Sequence, residues 1–185
     1  MFQRAVVRAG VKAAYSQGYN PHLKLSLVLP RSVGVESEDE MLCLWLEEGD
    51  ENINVERLKD EMPEGIEIVS AQVSRATKVP EPVSARYEIK VKGADEGIGE
   101  KIAGLLASEK IVVERRSGED SRVKAVDVRP FLESADVQGE EIVVDSRVSP
   151  AGTIRVDEIL GLLKLTVEDL AGPVRRTNVR YTDEH

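Results

Sequence analysis

Between Tyr15 and Lys24 the chain places two tyrosines, Ser16, Gln17, Asn20, His22 and a lysine within ten residues. Rings that stack, amides and an imidazole that hydrogen-bond, and a cation that pairs with phosphate are the groups with which proteins hold unstacked RNA. A plainer account is also open, in which one of Tyr15 and Tyr19 packs into the core and the other covers the loop. His22 reads either as a loop imidazole capping a turn or as a ligand-facing donor and acid–base group. The only other histidine is the terminal His185, so no multi-histidine metal site can be assembled. No cysteine–histidine cluster of zinc-binding type is present. Nor is there a Walker loop, a dinucleotide glycine fingerprint or a nucleophile-elbow serine. No catalytic residue, metal or cofactor is therefore expected.

The charge around this stretch is lopsided. The 185-residue chain has a net charge of −9. Yet residues 1–35 contain Arg4, Arg8, Lys12, Lys24 and Arg31 and no acid, a local charge of +5. The remainder holds 20 basic and 34 acidic residues. A cationic corner on an acidic body points to a local anionic ligand rather than to general coating of DNA, although short acid-free windows also arise by chance. The chain lacks a run of about 18 apolar residues, so no membrane span is expected. No signal peptide is read at the N-terminus, and a cytoplasmic location is the default. The single cysteine, Cys43, sits in an apolar run and is expected to be a structural thiol.

Elements must hold these groups in place. Phe2, Ala5, Val6 and Ala9 recur at helical spacing, with Gly10 as the stop, so a helix is predicted over 2–9. Arg4 and Arg8 share its other side as a like-charge pair. Leu23, Leu25, Leu27 and Leu29 alternate with other residues between Pro21 and Pro30, which predicts a strand over 23–29. Gly34 and its neighbours read as a structured turn leading into an acidic tip. A second strand is predicted over 41–46, a helix over 55–62 capped by Asn54, and a third strand over 66–73. Helix, strand, strand, helix, strand is the ferredoxin-like split βαβ pattern without its first strand.

Residues 77–84 read as a linker between a first unit over 1–76 and a second over 85–185. The second half repeats the pattern with an extra strand or remodelled hairpin. The fold class predicted is α+β: two tandem ferredoxin-like units with antiparallel sheets and helices on one face. Four further residues are candidates for a shared site. Asp127 and Arg129 lie two apart on one strand, where same-face ion pairing is the alternative. Arg155 sits near a helix start, where a cation is locally unfavourable and calls for a partner elsewhere. On the terminal strand, the period of two puts Arg176 with Arg180 on one face and Arg175 with Thr177 on the other.

The run AYSQGYNPHLKLSLVLP followed by VGVES resembles the radical-SAM-linked protein family, a bacterial domain of unknown function. Its members are encoded beside, or fused to, an unusual radical S-adenosylmethionine protein. The resemblance is carried most strongly by Tyr15, Ser16, Gly18, Asn20, Pro21, His22, Lys24, Ser26, Gly34, Glu36 and Ser37. It continues through Asp127, Arg129, Pro130, Arg155, Glu158 and Ile159 to Arg176 and Thr177. Members usually open with a strand ahead of the first helix, whereas this chain starts within that helix. Leu23 also stands where the family usually has a second proline. The resemblance implies a radical SAM partner, which would carry the iron–sulfur cluster itself, and adds Glu36 to the candidate binding residues. Three functions are expected in descending order: an RNA-binding module that presents transfer or ribosomal RNA to that enzyme, a docking subunit that touches no nucleic acid, and an RNA-processing enzyme using His22.

Overall fold

A computed structural model describes residues 1–49, 53–76, 78–93, 96–117 and 122–182. Thr77 of the expected linker and terminal His185 lie outside the described residues. In chain order the elements are α1 Phe2–Arg8, β1 Leu25–Leu27, β2 Val35–Ser37, β3 Leu42–Leu44, α2 Val55–Asp60, β4 Pro82–Lys90 and α3 Glu96–Ala107. They continue with β5 Val112–Ser117, β6 Arg122–Asp127, β7 Leu132–Gln138, β8 Glu141–Arg147, α4 Val156–Leu163 and β9 Val174–Tyr181. The chain divides into two compact units, one made of Met1–Val28 and Met41–Val79, the other of Leu29–Glu40 and Pro80–His185. The excursion Leu29–Glu40, which the sequence placed with the first half, thus belongs to the second unit.

The first unit is small. Helix α1 buries Ala5, Val6 and Ala9 at helical spacing and ends where Gly10 takes a φ of +73°, a conformation that costs other residues more. Val6 is fully buried against Ala13 and Leu23, with Val11, Leu25, Leu44 and Leu58 around them. Strands β1 and β3 pair antiparallel through Leu25–Leu44, Ser26–Cys43 and Leu27–Leu42. Asn54 caps α2 by accepting the Arg57 N–H at 3.0 Å, as its position predicted.

The expected strand over 66–73 is not one: these residues form no ladder with any described strand, and Val69 is largely exposed. Their composition favours a strand, but propensity supplies no hydrogen-bonding neighbour, and an extended segment without one is not a strand. The sheet of the first unit has two strands among the described residues, where three were expected.

The second unit holds a five-stranded sheet in the order β2-β9-β4-β8-β7. The pairs β9–β4, β4–β8 and β8–β7 are antiparallel. With α3 following β4 and α4 following β8, this order is consistent with the ferredoxin-like α+β arrangement. The antiparallel hairpin β5–β6 is inserted between α3 and β7. The core joins Tyr87 and Ile89 of β4, Ile98 and Ile102 of α3, Ile142 and Val144 of β8, and Ile159 and Leu163 of α4. One feature departs from the antiparallel expectation. Strand β2 adds to the free edge of β9 in parallel, with Glu36 opposite Arg175 and Ser37 opposite Arg176.

Candidate functional site

The loop of residues 15–24 is built on backbone hydrogen bonds. Ala14 donates to the Trp45 carbonyl at 2.8 Å, Lys24 donates to the Ala14 carbonyl at 2.8 Å, and Trp45 donates to the Lys24 carbonyl at 3.1 Å. Above this junction Tyr15 bridges Leu23, and Ser16 donates its N–H to the His22 carbonyl at 2.7 Å. The Ser16 hydroxyl in turn accepts the His22 N–H at 2.9 Å. Ser16 therefore helps to hold the loop. The remaining residues form the tip, where Gly18 takes a φ of +134° and Gln17, Tyr19 and Asn20 are exposed.

Because Leu23 and Val6 share one core, the loop base is held against α1. Between them lies a groove of about 360 Å³, lined by Gln3, Arg4, Val7, Arg8, Tyr15, Pro21, His22 and Leu23. A second groove, of about 780 Å³, lies between α1 and the end of α2, where Arg4 and Arg8 face Asp60 and Glu61. Arg8 reaches Glu61 at 3.9 Å, an exposed pair of little strength. Arg4, Lys12 and Lys24 form no ion pair among the described residues, and all three are exposed. The structure thus brings four expected residues, Arg4, Arg8, Tyr15 and His22, to one groove. Gln17, Tyr19, Asn20 and Lys24 do not line it.

Gln3 and Val7 line the groove and were not singled out from the sequence. The signal was present, since residues 3, 4, 7 and 8 are the complement of the buried stripe on α1.

Three of the candidates in the second unit are engaged in its fold. Asp127 accepts the N–H groups of Ile111 and Arg129 at 3.0 and 3.1 Å, rather than pairing with the Arg129 side chain. Arg129 donates to the carbonyls of Ser108, Leu132 and Leu106 at 3.0, 2.8 and 2.8 Å, closing the end of α3. Arg176 is 1% exposed and donates to the Leu29 carbonyl at 2.6 Å, to the Ser37 hydroxyl and to Glu40. All three side chains are thus hydrogen-bonded within the second unit. A β-bulge explains why Arg176 was misplaced. Asn178 opposes Arg86 and Arg176 opposes Tyr87, so Thr177 is an extra residue. It turns Arg176 inward while Arg180 stays exposed, so the two do not share a face.

Arg155 and Glu36 are exposed. The partner near Arg155 is Glu158, whose carboxylate accepts the Arg155 N–H at 2.9 Å but spends its charge on Arg115. Burial raises the Glu158 carboxyl, but the Arg115 hydrogen bond, the Arg155 N–H and the charges of both arginines outweigh it and hold it below the usual range.

Among the described residues no group of three or more histidines, cysteines or carboxylates is placed to hold a metal. No described helix is long and apolar enough to cross a membrane. The His22 imidazole has no hydrogen-bonded partner among the described residues to orient it for proton transfer.

Fold and groove together define an α+β protein with a ferredoxin-like second unit and a small first unit that presents cations and a ring at an open groove. Residues 1–158 match the model of a family described as an uncharacterized protein conserved in bacteria (DUF2344), and the chain belongs to that family. No curated protein and no solved structure matches it.

Proposed function

We propose that this protein is a binding module that holds RNA, of the transfer or ribosomal class, and presents it to a partner radical SAM enzyme. One observation carries the reading. In the first unit Arg4, Lys12 and Lys24 are exposed and form no ion pair among the described residues, and the same unit exposes Tyr15 at 49% and Tyr19 at 107%. Cations left unpaired by their own fold favour an external anion, and exposed rings in the same unit favour bases. The radical SAM partner rests on the sequence resemblance. Because Asp127, Arg129 and Arg176 are committed internally, the proposed RNA contacts are those of the first unit: Arg4, Arg8 and Lys24 to phosphate, Tyr15 and Tyr19 to bases, and Asn20 and His22 as hydrogen-bonding groups.

Filter binding with bulk cellular RNA at low and moderate salt tests the reading. Retention that falls as salt rises is expected. A purified protein with no salt-sensitive retention would overturn it.

Tyr19 favours a second reading. A wholly exposed aromatic ring at a loop tip is also what a docking anchor looks like before its partner arrives. Co-purification with the radical SAM protein from nuclease-treated extract, lost on Tyr19→Ala, would favour docking without RNA.

A further inference from the structure

We infer that the groove between α1 and the loop takes one unstacked nucleotide, its base on Tyr15 and its phosphate at Arg4 and Arg8. The inference rests on the RNA-binding reading and narrows it to a site and a strand state.

The lining of the groove is sorted by chemistry. Val7, Pro21 and Leu23 supply apolar surface, and the Tyr15 ring stands half exposed beside them. A flat, weakly polar ligand suits such a surface, because stacking on it removes both faces from water. Arg4 and Arg8 supply two guanidinium groups one helical turn apart; both also border the groove that holds Asp60 and Glu61, and among the described residues Arg8 alone of the two comes within ion-pair range, at 3.9 Å from Glu61. Their planar forks match phosphate oxygens. Gln3 and His22 add an amide and an imidazole, donors and acceptors of the kind that read a base edge. Apolar wall, ring, paired cations and polar groups are together the complement of a base joined to a phosphate.

Size decides which form of nucleic acid enters. At about 360 Å³ the groove lies near the small end of the range for small-molecule sites. A duplex cannot enter it, and in a duplex the faces of the bases are already stacked. It would meet only the cations. An unpaired residue in a loop, bulge or end offers both its face and its phosphate. The backbone ties of Ser16 to His22 and of Tyr15 to Leu23 hold the loop side of the groove before any ligand arrives, so little ordering cost is left to binding.

The same base-plus-phosphate chemistry is offered by a free nucleotide and by a nucleotide within a strand. We assign the strand, because the further cations Lys12 and Lys24, which form no ion pair among the described residues, lie outside the groove lining and extend the positive charge beyond one nucleotide.

Fluorescence anisotropy on the full chain tests this with three probes: a labelled single-stranded RNA oligomer, the same sequence as a duplex, and unlabelled nucleoside monophosphates as competitors. The oligomer is expected to bind at least roughly 10-fold tighter than the duplex. Tyr15→Ala should weaken oligomer binding roughly 5- to 100-fold, the loss that follows removal of one stacking ring, while Tyr15→Phe stays within about 3-fold. Arg4→Gln should flatten the salt dependence of oligomer binding by about 0.7 in log–log slope. Circular dichroism of each variant checks that the fold survives. Equal affinity for oligomer and duplex with no effect of Tyr15→Ala would overturn the groove assignment and leave RNA binding standing. Monophosphates that match the oligomer in a Tyr15-dependent way would overturn the strand assignment. Salt-insensitive or absent binding of every probe would remove the RNA reading itself.

Discussion

Arg129 shows how a residue that looks functional in the sequence can be structural. Its guanidinium closes the last turn of α3 and the start of β7 through three carbonyls. Arg129→Ala is expected to cost about 2–4 kcal/mol, because it strands those acceptors as well as removing the charge-assisted bonds. Urea denaturation measures this, and an unchanged midpoint would contradict the assignment. A second residue-scale prediction concerns acid. The two hydrogen bonds from Arg86 hold the Asp145 carboxyl low, with Ser134 adding to them and burial opposing. Glu158 is low as well, through Arg115 and the Arg155 N–H overcoming burial. A carboxyl that titrates lower when folded stabilises the fold fully above its ordinary value near 4 and loses that stabilisation as pH falls through the lowered one. The urea midpoint should therefore drop between about pH 5 and pH 3, and Glu158→Gln should flatten the drop. A profile identical to that of the unaltered protein would contradict this role for Glu158. The sequence drew attention to Arg155 but not to Arg115, because the Arg115–Glu158 pair spans 43 positions and no local pattern encodes it.

At the scale of elements, local periodicity located what local forces build. Helix α1 and its buried stripe, the Asn54 cap, and β4, β8, β9, α3 and α4 of the second unit were legible because each repeats a period of 2 or 3.6 against a core, whereas the sequence ran β6 on to residue 132 and did not mark β7. Three further features were not legible. The acidic run 36–40 read as a tip. It is instead a strap on β9: Glu38 pairs with Arg175 at 3.1 Å, Asp39 accepts the Val179 N–H at 2.8 Å, and Glu40 pairs with buried Arg176. A three-residue strand that finds its partner 139 positions away leaves no periodic trace. The bulge at Thr177 reversed a face assignment made from the period of two. Residues 66–73 carried the composition of a strand without a described strand beside them. The strap is testable. Arg176→Met should destabilise the second unit by about 2–4 kcal/mol, somewhat under the cost of breaking a fully buried pair, because Glu40 keeps some contact with solvent. Adding Glu40→Leu should recover part of the loss. Amide exchange at Val35 and Ser37 should quicken in the single variant, and unchanged protection there would contradict the strap.

For the whole molecule, the account turns on an imbalance written in the composition. Most of the chain is acidic, and its own carboxylates engage Arg86, Arg115, Arg147, Arg175 and Arg176. Arg4, Lys12 and Lys24 are not engaged in this way among the described residues. That contrast could not be read from the sequence, which gives the number of cations but not which of them the fold neutralises. The sequence alone kept Arg129 and Arg176 as candidates beside Arg4. Burial and hydrogen bonding separate them.

The most direct measurement is the affinity for a single-stranded RNA oligomer across a salt series, with unaltered protein beside the triple variant Arg4→Gln/Lys12→Gln/Lys24→Gln. The account predicts that log affinity falls with log salt at a slope of roughly −2 to −3, and that the triple variant loses most of that slope while its urea midpoint stays unchanged. Binding of equal slope in both proteins, or no binding in either, would contradict it.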